Sequence, residues 1–253
     1  MSMLEPTRSF LRLFLPANPF WSIPSFIQFW KSYFAYAKLS GRRPEYRRLF
    51  PCFRDRVPIT PVGYYFYQDC WAFRKVVSNK PSLHVDIGST ALLVGCFAAS
   101  VATLSIDFRP LAAESLGLRS MRGSILQLPF KDDSLESISS LCVIEHIGLG
   151  RYGDPLDPDG TAKAAQELQR VLKHGGHLYV SVPCGESYVA FNAHRSFTRE
   201  EVLTLFDGLR LMEFVLVGNR GVLRQPEKIE KSDFPVGLFY FTKQGAAPDC
   251  SAE

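Results

Sequence analysis

The chain has 253 residues, 46% of them hydrophobic and 21% charged, a balance that predicts a soluble, folded protein with one sizeable core and an appendage rather than two equal domains. Its six cysteines, Cys52, Cys70, Cys96, Cys142, Cys184 and Cys250, form no C-x-x-C pair, which argues against a zinc site or a disulfide framework and for a reduced, cytoplasmic setting. The net charge of +4 hides an asymmetry: residues up to Lys80 carry 13 Lys and Arg against 4 Asp and Glu, and the remainder is net acidic at −5.

The first 62 residues read as a basic, aromatic helical extension. Pro16, Pro19 and Pro24 interrupt its apolar run, so neither a signal-peptide core nor a spanning helix is expected. Between Pro24 and Ser40, Phe26, Phe29, Trp30, Tyr33 and Ala37 recur every three or four residues, the period of an amphipathic helix, which Gly41 then stops. Arg42, Arg43, Arg47 and Arg48 follow. Packing over the core is the first reading of this helix, and peripheral contact with a membrane surface is the second. No recognised nucleic-acid-binding module accompanies the charge, so no nucleic-acid partner is expected.

Residues 63–245 carry the pattern of a doubly wound α/β sheet, and 246–253 form a tail. After a helix in YYFYQDCWAFRKVV, strands are expected near His84–Ile87, Ala102–Ile106, Ser120–Arg122, Ser137–Val143 and His177–Val182. Helices fall at Thr90–Ala99 and Thr161–Leu172, the latter with Ala165, Leu168, Val171 and Leu172 inward. Thr198 and Glu201 form a capping box that starts a further helix, and Leu211–Val217 with Gly237–Thr242 make a final strand pair, the last strand antiparallel. In an open parallel sheet the ligand sits at the carboxyl ends of the strands, which is where the candidate site residues lie.

The first turn, VDIGSTALLVG, supplies Asp86, Gly88 and Ser89 where backbone amides and a helix N-terminus can approach an anionic group. Asp107 closes the second strand nineteen residues after Gly88, the place of an acidic side chain that accepts hydrogen bonds from ribose hydroxyls. An N-cap or a salt bridge to Arg109 is its structural alternative. Glu145 and His146 end the fourth strand, and His194 and Arg195 follow the fifth. Between them GLGRYGDPLDPDG is too polar and glycine-rich for a core. Its aspartates do not match a calcium loop, because Pro155 and Gln166 occupy the positions that need carboxylates, and no metal site is expected.

LPF at Leu128–Phe130, EH at Glu145–His146 and LKHGG at Leu172–Gly176 mark successive corners of the sheet and together resemble the second half of a class I S-adenosylmethionine-dependent methyltransferase. YYFYQDCWAFRKV, VDIGS, EHIGLGRYGDPLDPDG and FNAHRSFT, spanning roughly residues 63–242, further resemble the domain-of-unknown-function 268 family of methyltransferase-like proteins. The resemblance implies a mostly parallel seven-stranded Rossmann-like sheet and S-adenosyl-L-methionine as cofactor. The cofactor would be held by Asp86, Gly88, Ser89 and Asp107, with Ser124 and Leu126 lining its pocket. Thr90 and Leu92 stand where the usual motif has further glycines, and Ser124 where many relatives place Asp. A dehydrogenase would normally show a complete G-x-G-x-x-G, which is missing here.

Methyl transfer from a sulfonium is an in-line displacement, and an oxygen acceptor can also need a base. His146, His194 and Glu145 are the candidate catalytic groups. Arg151, Tyr152, Asp154 and Arg195 are the candidate substrate contacts. The expected acceptor is a small molecule or glycan, with a hydroxyl as the target atom. A non-catalytic binding protein that kept the sheet and lost cofactor affinity is the alternative.

Overall fold

The structure is a computed structural model, and it describes residues 19–46, 49, 63–112, 117–223 and 234–244. The chain divides into two compact units, Met1–Thr60 and Pro61–Glu253. The first contains α1 (Pro19–Ser40), longer at its start than the sequence pattern indicates. Helix α1 runs back through Pro24, at the cost of the one intrahelical bond that proline cannot donate. Trp30 and Tyr33 pack edge to face, and the Tyr33 hydroxyl donates to the carbonyl of Pro44. Among the described residues no helix is long and apolar enough to cross a membrane.

The second unit is built on one sheet in the order β3–β2–β1–β4–β5–β10–β8–β9, in which β1 is His84–Ile87, β2 Thr103–Asp107, β3 Leu118–Arg122, β4 Leu135–Leu141 and β5 Leu172–Pro183. Strands β1 to β5 are parallel. Strand β10 (Val236–Thr242) runs antiparallel between β5 and β8 (Arg210–Gly218), as the sequence pattern predicts. The eighth strand is β9 (Gly221–Val222), a two-residue extension folded back on β8 and too short to leave a hydrophobic period. Strands β6 (Tyr188–Ala190) and β7 (His194–Ser196) form a separate hairpin across FNAHRSFT, where the sequence reads as a loop.

Helices cover both faces. On one, α2 (Gly63–Asn79) buries Gln68, Ala72 and Val76, one residue per turn, and α3 (Ala91–Ala98) buries Leu93 and Phe97 against Leu141 and Tyr179. On the other, α4 (Gly160–Val171) buries Ala164, Ala165, Leu168 and Val171, and α5 (Arg199–Leu205) adds Val202. The sheet interior is not purely apolar. The His84 ring lies between the hydroxyls of Ser137 and Ser139, at 2.8 and 2.9 Å, and the Ser139 hydroxyl donates to Asp86. Burial lowers the pKa of His84 to about 3, so the ring is neutral. Each of these buried polar groups has a partner, which keeps the low-dielectric interior tolerable.

Helix α5 starts at the expected box: Thr198 Oγ1 accepts from the Glu201 amide at 3.1 Å, and Glu201 accepts from the Thr198 amide at 2.8 Å. Thr198→Ala should therefore lower the unfolding free energy by about 1 kcal/mol. Urea titration should show a reduced midpoint with an unchanged slope, and an unchanged midpoint would mean that the reciprocal cap contributes nothing.

Candidate active site

The carboxyl ends of β1, β2, β3 and β4 surround an open cleft. Its position follows from three backbone events. The chain leaves β1 through Gly88, whose φ of +72° suits glycine, and a Cβ there would approach the Val143 side chain to 3.1 Å. Thr90 keeps ordinary extended backbone and caps α3 by accepting from the Leu93 amide at 3.4 Å, so the loop needs only one positive φ near its start and tolerates the missing glycines. At the end of β4, Cys142 turns left-handed with φ 54°, and the Ser181 hydroxyl accepts from its amide at 2.9 Å. Val143 and His146 beyond it line the cleft.

Ile87, Ile106, Phe108, Leu126 and Val143 give the cleft apolar walls, and Asp107 supplies a carboxylate at its edge. One Asp107 oxygen accepts from the Arg109 amide at 2.6 Å, while the Arg109 guanidinium stays loosely placed, its Nε 4.0 Å away. That guanidinium lies instead over the Tyr152 ring, 4.7 Å from its centre. Ser124 closes a small turn, its hydroxyl accepting from the Leu126 amide at 3.2 Å. An apolar slot with one acidic edge and a glycine that keeps the floor open fits a nucleoside.

Asp86 lies beneath this surface and lines no cavity. It is fully buried, accepts from the Ser89 amide at 3.1 Å and from Ser139, and burial raises its pKa to about 6 against the lowering effect of those bonds. It holds the loop from below. Ser89 Oγ accepts from the Leu141 amide at 3.3 Å, and the residue borders the adjoining cavity.

That second cavity meets the first at Gly88, Cys142, His146 and Tyr152. Glu145 lines it with 1% of its surface exposed, and its Oε2 has no hydrogen-bond partner among the described residues. Burial raises the Glu145 pKa to about 8. His146 Nδ1 lies 2.6 Å from the carbonyl of Ala193, so that nitrogen carries the proton and Nε2 keeps the lone pair. Arg151 Nη1 is 3.2 Å from the same Nδ1, but both are donors; its bond is to the Ala193 carbonyl at 2.9 Å. Burial lowers the His146 pKa to about 4, so a neutral imidazole faces Glu145 with Nε2 and Oε1 3.6 Å apart. His194 also lines the cavity, its pKa lowered by burial and by Arg151, with Nε2 3.3 Å from the Tyr188 hydroxyl.

The candidate substrate residues divide. Arg151 and Tyr152 border the second cavity. Asp154 borders the first, but its oxygens accept from the amides of Gly148 at 2.7 Å and Tyr152 at 3.2 Å, which makes it a brace of its own loop. Arg195 borders neither. It is buried and its donors go to Ile147 O at 2.6 Å, Thr161 Oγ1 at 3.2 Å, and the carbonyls of Asp157 and Pro158 at 3.4 and 3.3 Å. The loop that reads as too polar and glycine-rich for a core is partly packed: Leu149 is buried, and a Cβ at Gly148, φ +81°, would lie 2.0 Å from Asp157 O. Tyr64, Tyr65 and Phe234 wall the second cavity, and Phe108 and Arg109 edge the first, none of them among the sequence candidates. The tyrosine pair at the start of a helix was the only sequence signal for that wall.

Comparisons with known proteins agree with this architecture. The family described as Caenorhabditis protein of unknown function, DUF268, matches residues 128–219, which take in LPF, the Glu145–His146 corner, the glycine loop and α5. No curated protein matches the chain. The N-methyltransferase NodS from Bradyrhizobium japonicum WM9, solved with S-adenosyl-L-homocysteine, is similar over 77% of this chain and 92% of its own, with 18% identity and a TM-score of 0.53. A 1,6-didemethyltoxoflavin-N1-methyltransferase from Burkholderia thailandensis is similar over 72% of this chain and 84% of its own, at 14% identity and a TM-score of 0.50. The [4+2]-cyclase SpnF reaches the same TM-score at 12% identity, covering 70% of this chain and 81% of its own. The sheet and its cleft thus have the class I methyltransferase fold, with a DUF268-like segment at its centre.

Proposed function

We propose that the protein is an S-adenosylmethionine-dependent methyltransferase acting on a small molecule or glycan. The observation that carries this reading is the pairing of the open Gly88 turn with the Asp107 carboxylate in an apolar cleft, which fits a nucleoside bearing ribose hydroxyls. Asp107 would accept from those hydroxyls, and Phe108, Ile106 and Leu126 would enclose the base. S-adenosylmethionine, when bound, supplies an electrophilic methyl group. The second cavity adjoins this cleft at Cys142 and His146, which suits it to receive the acceptor. Alignment of the acceptor there would supply much of the rate.

For a hydroxyl acceptor, a base must take up the proton. His146 is neutral at pH 7, with Nε2 free, but burial makes it a weak base. Glu145, raised to about 8, is better matched to proton transfer near neutrality. The groups around it are His146, Cys142, Tyr64, Tyr65 and Arg151; hydrogen bonding from Glu145's own backbone amide and the Cys142 side chain, and the Arg151 charge, favour the carboxylate form, but burial outweighs them. The alternative, a non-catalytic binding protein that kept the sheet and lost cofactor affinity, would not bind the nucleoside in this cleft.

Calorimetry should find that S-adenosylhomocysteine binds the wild type and that Asp107→Ala weakens it at least about tenfold, because a hydrogen bond to a charged group contributes roughly 1.5 to 3 kcal/mol. Absence of wild-type binding would remove the methyl-transfer reading.

Burial of Glu145 also has a pH signature. Its folded pKa is raised from the ordinary 4.5 to about 8, so its folded state favours the protonated form; the associated stability is full below 4.5 and is lost as pH rises through about 8. Urea denaturation across that window should show Glu145→Gln gaining stability relative to wild type as pH increases. A difference that stays flat with pH would mean that Glu145 ionises freely.

A further inference from the structure

The geometry points to the second cavity as a site for a protonated amine, held by the Glu145 carboxylate and the aromatic wall of Tyr64, Tyr65 and Phe234. The amine as methyl acceptor rests on the methyl-transfer reading above; the amine site itself does not.

Three features converge on a cation. First, Glu145 is buried with Oε2 unpartnered, and an unsatisfied buried carboxyl group is costly unless a ligand completes it. Second, the wall is built of ring faces and edges: Tyr64 and Tyr65 stack with centroids 4.4 Å apart, and Phe234 lies 5.6 Å from Tyr64. Aromatic faces attract ammonium groups, and burial keeps both phenols in their neutral form. Third, Arg151, which lines the same cavity, forms no ion pair with Glu145 and leaves its Oε2 open to a ligand. Arg151 donates to the Ala193 carbonyl and lies over the Tyr152 ring, 5.2 Å from its centre.

The chemistry favours an amine over an alcohol. An ordinary ammonium group titrates near 10.4, whereas a water-like hydroxyl holds its proton to far higher pH. A carboxylate titrating near 8 in this cavity can take a proton from the first with a small free-energy gap, and from a water-like hydroxyl only against a large one. The proton passes from ammonium nitrogen to Glu145, leaving a neutral amine and a carboxylic acid. The nitrogen lone pair then forms the new C–N bond, the electrons of the breaking C–S bond remain on the donor's sulfur, and the product carries the positive charge as a methylated ammonium. An amino group on a sugar satisfies both this chemistry and the glycan class.

Calorimetric titration of the full chain at about pH 9, above the Glu145 value of about 8 and below the ammonium value of about 10.4, with 2-phenylethylammonium and with its matched alcohol, 2-phenylethanol, tests the site. The ammonium should bind at least about tenfold more tightly than the alcohol. Glu145→Gln should erase that preference, and Tyr65→Ala should weaken the ammonium more than the alcohol. Equal affinities, tighter alcohol binding, no ammonium binding, or a preference undiminished in Glu145→Gln would each overturn the inference. Thermal melts establish that the variants are folded, and if Glu145→Gln is not, the wild-type comparison and Tyr65→Ala decide. The same titrations include S-adenosylhomocysteine. Cofactor binding without an amine preference overturns the amine site alone, and an amine preference without cofactor binding overturns methyl transfer alone.

Discussion

The cleft depends on a carboxylate that never reaches it. Asp86 sits at the end of β1 with no exposed surface and accepts from the Ser89 amide above and the Ser139 hydroxyl beside it. Because Ser139 donates to Asp86, its oxygen accepts from His84 Nε2, and His84 Nδ1 in turn accepts from Ser137. This chain of bonds crosses from β1 to β4 inside the sheet. It fixes the turn through Gly88 relative to the strand end that carries Val143, Glu145 and His146, so the open cleft and the second cavity share one rigid floor. Buried polar networks of this kind tolerate little rearrangement, since each member left unpaired would cost the desolvation of a polar group.

A second lattice holds the glycine loop. Arg195, on β7, distributes its guanidinium over Ile147, Thr161, Asp157 and Pro158, and Asp154 braces the loop from within. The glycines at 148 and 160 allow the backbone to pass too close to itself for any Cβ: one at Gly160 would sit 2.8 Å from Ile147 O. The loop presents Arg151 and Tyr152 to the cavities because its other polar residues are spent on its own conformation. Its two guanidinium groups nearby, Arg109 and Arg151, both lie over the Tyr152 ring, joining the edge of one cavity to the rim of the other.

The sheet was legible in the sequence because its signals are local and periodic. Apolar strands of four to seven residues, the helical stripe of Ala165, Leu168 and Val171, and the Thr198 box each report on their own segment. Gly88 and Asp107 were legible because a strand end fixes where the next residue must point. The inward placement of Asp86 and Arg195 was not, because a charged side chain at a loop reads alike whether it turns outward to a ligand or inward to carbonyls. Tyr64, Tyr65 and Phe234 come together from segments some 170 residues apart, and no short-range pattern encodes that meeting. Likewise His146 and Glu145 read as a pair of candidate bases, while burial alone separates them, lowering one to about 4 and raising the other to about 8.

The central claim is that the cleft above Gly88 is a nucleoside cofactor site opening onto an acceptor cavity. A crystal structure of the protein grown with S-adenosylhomocysteine tests it most directly. The ribose hydroxyls are expected on the Asp107 carboxylate, the base between Phe108 and Leu126, and the sulfur turned toward the cavity that Glu145 lines. An ordered ligand whose ribose lies away from Asp107, or whose sulfur faces away from Glu145, would contradict it.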